Sequence, residues 1–201
     1  MKLYGNLNSG NCYKVRLLLS YLNVPYTYQD MDAPHGATRT AEFLAINPAG
    51  QIPVLALNNG RTLAESNAIM AFLAEDTPYL PINAFERAKA LQWMFWEQYR
   101  HEPAIAVARF IKIYAPERAD ELPKLMERGK DALSVMEGHL RGNVWFVGAG
   151  PSVADIALYA YTHVAEDGGF TLGDYPQVQA WCARMAEHPR HVLMTDMPEK
   201  I

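Results

Sequence analysis

NPAGQIPVLALNNGRTLAES, residues 47–66, decides how this chain is to be read. Pro53 stands near the head of an apolar run, Ile52 to Leu57, where a residue without an N–H removes a ladder donor. In the cis form such a proline leaves the N–H and C=O of Ile52 open to an extended peptide, which can pair there as an extra short strand. In the trans form it is an ordinary edge-strand proline. Asn58-Asn59-Gly60 favours positive backbone angles and marks an antiparallel hairpin from Ile52–Leu57 into Thr62–Leu63. Glu65-Ser66 then opens a helix. A serine there can offer its hydroxyl and backbone N–H to a carboxylate, and a glutamate can pair with an ammonium, so the two can hold the alpha end of an amino acid. Taken alone they read first as an ordinary helix cap, and it is their place shortly after a proline-headed hairpin that brings in the binding reading.

Working outward toward the start, Lys2 to Tyr4 is a short extended segment, followed by the turn-rich GNLNSGN and by CYKVRLLLSYL. In the latter, Cys12, Val15, Leu18, Leu19 and Leu22 fall on one helical face. Ser9 or Asn11 caps this helix, and Asn23 with Pro25 ends it. Tyr26 to Asp30 alternates as a strand does, and after a crossover helix it lies parallel to the first. MDAPHGATRT reads as a loop, AEFLAIN as a short helix closed by Asn47-Pro48, and Ser66 to Ala74 as a further helix. The order strand, helix, strand, helix, strand, strand, helix predicts a thioredoxin-like α/β domain with a mixed four-stranded sheet.

Beyond it, DTPYLP (residues 76–81) has two prolines and no period, which suits a stiff linker. Helical spacing then continues over Ala84–Tyr99, Glu102–Tyr114, Leu122–Leu140, Val153–Ala165 and Val178–Glu187. Ser152 and Asp155 form a capping box ahead of IALYAYTHV. Trp93, Trp96, Tyr99, Arg100, Arg109 and Phe110 form an aromatic-rich group that reads first as core. The expected organisation is an α/β domain at 1–77, a linker at 78–83 and an all-helical domain at 84–201.

Half of the 201 residues are hydrophobic and the formal charge is −4, with no Lys/Arg cluster, which excludes a nucleic-acid footprint. No stretch approaches the roughly 18 apolar residues of a membrane span, and the opening MKLYGNLNSGN is no secretory or transit segment. Two distant cysteines, Cys12 and Cys182, suit a reducing compartment, so a cytoplasmic location is expected. No metal is expected.

The tetrapeptide Ser9-Gly10-Asn11-Cys12 occupies the first strand-to-helix turn, where a dithiol oxidoreductase carries two cysteines. With Ser9 in the first position, Cys12 stands as a resolving thiol without its attacking partner, which argues against dithiol exchange by the protein itself. A serine or asparagine at that helix mouth can instead serve a thiol brought by a ligand. Making a thiol of pKa about 8.5 largely thiolate at neutral pH needs about 2.7 kcal/mol of preference for the anion. One hydrogen bond and a helix N-terminus cover that range.

SGNCYKVRL, NPAGQIPVL and LAESNAI in this order, followed by a helical half with SVADI, resemble the cytosolic glutathione transferases over essentially the whole chain. The resemblance implies a thioredoxin-like domain that binds glutathione as co-substrate, a helical domain that helps form a pocket for a small hydrophobic electrophile, and a homodimer. By that resemblance Ser9 looks like the thiol-activating hydroxyl, with Asn11 the other candidate. Ile52 before cis-Pro53 looks like the partner of the cysteinyl backbone, Gln51, Glu65 and Ser66 match contacts to the peptide ends, and His35 matches a basic residue reaching the glycyl carboxylate. The implied activity is conjugation of glutathione. The alternatives are glutathione-dependent disulfide or peroxide reduction, or a non-catalytic binding protein of the same fold.

Overall fold

Strand β1 (Lys2–Gly5) buries Leu3 and Gly5 and leaves the alternate residues half-covered, the period-two pattern of a strand with a neighbour on each side. On one edge it pairs in parallel with β2 (Thr27–Asp30). On the other it runs antiparallel to β3 (Val54–Ala56), which pairs in turn with β4 (Thr62–Ala64), giving the order β2-β1-β3-β4. The computed structural model describes residues 1–198. Four-stranded, mixed and flanked by helices, this is the thioredoxin-like unit that the sequence order predicts. The third strand is shorter than expected, beginning only at Val54 because the preceding residues form a turn.

Helix α1 (Gly10–Tyr21) differs from the expected one-sided amphipathic helix: ten of its residues are buried, Lys14 and Arg16 among them. The cause is a second cover. The segment from Arg190 onward runs along α1, and its alternate carbonyls accept from α1 side chains. Ser20 donates to Arg190 O (2.8 Å), Tyr13 to Val192 O (2.8 Å), and Arg16 to Met194 O (2.9 Å) and to Asp196 O. Asn23 in the left-handed region (φ 55°) follows the helix end, as its side chain tolerates. Two 3₁₀ turns, Ala33–His35 and Ala37–Arg39, replace the featureless loop before α2 (Ala41–Ile46). Helix α3 (Ser66–Ala74) completes the unit and buries Ile69 and Met70.

The chain divides into Met1–Glu75 joined by the described residues from Arg190 on, and a second unit, Asp76–Pro189. This departs from the expected 1–77 and 84–201 at the C-terminal end. The stretch 78–83 is also no free linker: Leu80 is buried, and Tyr79 O accepts the N–H of Val153 at 2.8 Å.

The regular elements of the second unit are all helical. Helices α4 (Ala84–Trp96) and α5 (Glu102–Tyr114) are joined without a break by a π-helical turn, Glu97–His101, where two separate helices were expected. Pro103 has no N–H to give the preceding turn and its ring crowds that turn's carbonyl, and the widened register absorbs both. Helices α6 (Leu122–Leu140), α7 (Val153–Thr162) and α8 (Pro176–Ala186) complete the unit. Trp93 does lie in the core, with the rings of Trp96, His139 and Phe146 at 5.2, 4.9 and 4.8 Å, whereas Tyr99 and Phe110 are exposed. The capping box is present, and the fully buried Asp155 carboxylate also takes the Phe146 N–H and the Trp181 indole N–H, both at 3.0 Å. Burial pushes its carboxyl up from the usual value while these donors pull it back.

Candidate functional site

The strand register brings the candidate residues to one end of the sheet. Gly5 closes β1 beside Asp30 of the parallel β2, while Tyr4 opposes Val54, the first residue of β3, and Val54 opposes Ala64, the last of β4. The segments that continue from that end are the turn 6–11, Ile52-Pro53 entering β3, Glu65-Ser66 leaving β4, and the loop after Asp30. The turn and that loop are stitched together: Met31 N–H donates to Gly5 O (2.8 Å) and Asn6 Nδ2 to Met31 O (3.1 Å).

Ser9 caps α1, its oxygen accepting the Cys12 N–H at 3.3 Å. Acceptance uses a lone pair, and the same side chain hydrogen-bonds the Cys12 thiol, which pulls that thiol's pKa down against its burial. Gly5 lets this turn approach closely, since a Cβ there would stand 3.2 Å from Cys12 Sγ and 3.1 Å from the Tyr28 hydroxyl. The Cys12 thiol is fully buried, and burial pushes its pKa up to about 11, so it is held as the unreactive thiol. Tyr4, the other conceivable activator, packs edge-on against Phe43 with ring centroids 6.0 Å apart.

Asn11 and Ser66 meet. The Ser66 hydroxyl donates to Asn11 Oδ1 at 3.2 Å, joining the first turn of α1 to the first residue of α3 across 55 residues of chain. One turn on, Lys14 Nζ donates to Asn67 Oδ1 at 3.3 Å. Two helix N-termini therefore converge, and neither first turn carries an acidic residue to offset its partial positive charge. Glu65, the residue before α3, is exposed and sits at φ 66°, ψ 109°, a region that costs an ordinary side chain of order 1–3 kcal/mol. Strain of that kind persists where the neighbouring structure dictates the backbone.

The Ile52–Pro53 bond is cis, the form that the family resemblance implies and that the residues alone left open. The turn that delivers it depends on a residue the sequence reading took only as a helix stop. Asn47, buried, donates from Nδ2 to Gln51 O at 2.8 Å and accepts the Ala49 N–H on Oδ1 at 3.2 Å. Gly50 sits at φ 62°, and a Cβ there would strike the Arg39 guanidinium, which itself donates to Ala49 O at 3.1 Å. The signal was available, because asparagine ahead of Pro-x-Gly is a side chain set to bond its own turn. Gln51 is exposed, and its carbonyl is the atom Asn47 holds. His35 stands apart from the cluster: it is 77% exposed and bonded through Nδ1 to Asp32 Oδ1 at 2.7 Å within its own loop. Among the described residues no group of His, Cys, Asp and Glu side chains could hold a metal ion.

Comparison with known proteins fits this geometry. Residues 8–76 match the family described as Glutathione S-transferase, N-terminal domain, and residues 94–189 match Glutathione S-transferase, C-terminal domain. The crystal structure of a glutathione S-transferase from Pseudomonas fluorescens Pf-5 is 54% identical and superposes with a TM-score of 0.95 over 97% of this chain and 98% of that one. Glutathione S-transferase GstB of Escherichia coli K12 is 30% identical over 96% of this chain and 97% of its own length. The disulfide-bond oxidoreductase YfcG of the same strain is 29% identical over 89% of this chain and 87% of its own. With a thioredoxin-like unit, a helical unit, a cis proline before β3 and relatives of this closeness across nearly its whole length, the chain belongs to the glutathione S-transferase family.

Proposed function

We propose that the chain binds glutathione where the turn 6–11, Ile52-Pro53 and Glu65-Ser66 converge, and holds its thiol as the thiolate for attack on a small hydrophobic electrophile. The observation that carries this reading is the cis Ile52–Pro53 bond at the same sheet end as two helix N-termini. The Ile52 backbone pairs with the cysteinyl unit, the Ser66 N–H receives the γ-glutamyl carboxylate, and Glu65 pairs with the ammonium. Gln51 contacts the peptide backbone. His35 reaches the glycyl carboxylate on this reading, through Nε2, because Nδ1 is engaged by Asp32. Ser9 supplies its proton as a hydrogen bond to the sulfur, and the N-terminus of α1 adds to it. The thiol proton leaves to solvent, the thiolate forms the new C–S bond, and any leaving group departs with the electron pair of the bond it breaks. The enzyme works in the cytoplasm as a homodimer.

Replacing Ser9 tests the assignment. Ser9→Ala lowers kcat with an aryl halide electrophile about tenfold or more, the worth of one hydrogen bond to an anion, and changes glutathione affinity far less. Unchanged kcat would move the activating role to Asn11.

A second reading has a specific support. YfcG, 29% identical, is named a disulfide-bond oxidoreductase, and the unreactive Cys12 means that both electrons for such a reduction would come from two glutathione thiols, which end as one disulfide. Rapid reduction of a small disulfide with negligible conjugation would favour it.

A further inference from the structure

Arg16 is a charge on α1 that the proposed chemistry leaves unused. It is 2% exposed, and among the described residues no carboxylate comes within ion-pair distance of it. Its Nη atoms donate to two neutral acceptors, Met194 O at 2.9 Å and Asp196 O, and its Nε is buried without a hydrogen-bond partner. Carbonyl acceptors satisfy donors and leave the positive charge in place. A guanidinium buried in this way costs more than an apolar side chain of its size, so a packing role alone does not call for it.

The groups that face Arg16 do not cancel it. Tyr26 and Tyr28 approach from the side of β2, with the guanidinium 5.7 Å from the Tyr28 ring centroid, and burial pushes both phenols up, so both are neutral. Asp30, at the end of β2, acts on Tyr28, and Asp196 turns its carboxylate to the Leu193 N–H of its own run at 2.6 Å. On α1 itself the neighbours are the Cys12 thiol and Lys14, a second buried basic residue. Cys12 lies one turn before Arg16, and helical side chains lean toward the N-terminus, which aims the charge at the helix mouth. Against the burial that raises it, Ser9, the Asn6 N–H, Arg16 and Lys14 each pull the Cys12 thiol down, so a thiol at this turn feels the guanidinium. Ser9 precedes Arg16 by a rise of about 10 Å along the helix. At that range a surface charge is largely screened by salt, and a buried one is not.

We infer that Arg16 acts on the thiol subsite through its field: the run from Arg190 onward holds the guanidinium buried, unneutralised and directed at the α1 turn, where it favours the anionic form of a ligand's sulfur. This rests on the reading of that turn as part of a glutathione site. It makes the C-terminal run, and not the turn alone, part of what activates the thiol.

The test measures the thiol pKa of glutathione bound to the full chain, from the ultraviolet absorbance of the thiolate across pH, with calorimetric affinity and Tm alongside. Arg16→Gln, which keeps an N–H donor for the run and drops the charge, raises that pKa by about half a unit to one unit, roughly a three- to tenfold smaller thiolate-to-thiol ratio at fixed pH. Arg16→Met raises it by a similar amount. Arg16→Lys, which keeps the charge and loses the planar fork, returns the pKa to the wild-type value even where Tm falls. If the neutral variants lower Tm or affinity while the bound-thiol pKa stays put, or if Arg16→Lys raises that pKa as much as Arg16→Gln, Arg16 is structural and the glutathione reading stands. A wild-type protein that does not bind glutathione overturns both.

Discussion

Asn47 Nδ2 donates to the carbonyl of Gln51 at 2.8 Å, so a buried side chain four residues back holds the backbone that enters the cis peptide bond. Asn47→Ala removes that bond and the acceptor for the Ala49 N–H together. The expected loss is about 2 kcal/mol, a fall in Tm of roughly 4–8 °C for a chain of this size. Glutathione affinity falls with it, since Ile52 follows directly on the loosened turn. Thermal melts with calorimetric titration check both, and an unchanged Tm would show that the turn holds itself.

Alkaline pH weakens the fold through Cys12. Its thiol ionises near 9.0 when unconstrained and near 11 when buried, so the folded state keeps a proton that the unfolded state gives up. The contribution is fully present below pH 9 and is lost as pH rises through the folded value. Urea melts of the wild type minus those of Cys12→Ala isolate this component. The difference should change between pH 9 and pH 11 and be flat between pH 6 and pH 8. At pH 8 the native Cys12 thiol also resists alkylating reagents that modify it readily in the unfolded chain.

Asp155 receives donors from three places: the Phe146 N–H, the Ser152 N–H and hydroxyl, and the Trp181 indole. Asp155→Ala strands all of them in the helical core, at a cost of about 3–5 kcal/mol. Ser152→Ala, which leaves most of the network paired, costs about 1 kcal/mol. Equal losses in denaturant melts would mean that the helix cap, and not the network, carries the stability.

Phe85, Phe95 and Tyr99 are 73%, 69% and 79% exposed and lie on one side of α4 and its π-helical continuation. Exposed aromatic stripes mark association surfaces, and the proposed homodimer would cover this one. Light scattering should give twice the 22.6 kDa of the chain. Phe95→Glu should shift the particle to monomer with the helical signal retained. A dimer indifferent to that change places the interface elsewhere.

The sheet and its hairpin were legible because period-two alternation and Asn-Gly chemistry are local, and the capping box was legible because Ser152 and Asp155 lie within one helical turn. The place of Pro53 at the head of an apolar run left cis and trans open, and only the family resemblance implied the cis form that the structure has. Asn11 and Ser66 were each marked as candidates, but the bond between them depends on how two helices 55 residues apart are set against the sheet, and no spacing rule carries that. The π-helical turn was read as a gap between two helices because nothing in the apolar spacing marks a register wider than that of an α-helix. The run of residues from Arg190 along α1 was invisible for a different reason: its hydrogen bonds use backbone carbonyls, which every sequence supplies.

That run makes the first unit discontinuous, and the helical unit is in effect an insertion between its two pieces. A fragment ending near Glu75 would carry every residue of the candidate site and still lack the acceptors for Tyr13, Arg16 and Ser20, with the face of α1 that this run covers open to solvent. The first unit therefore closes only after the helical unit has been made, because its second piece lies beyond Pro189 in the chain.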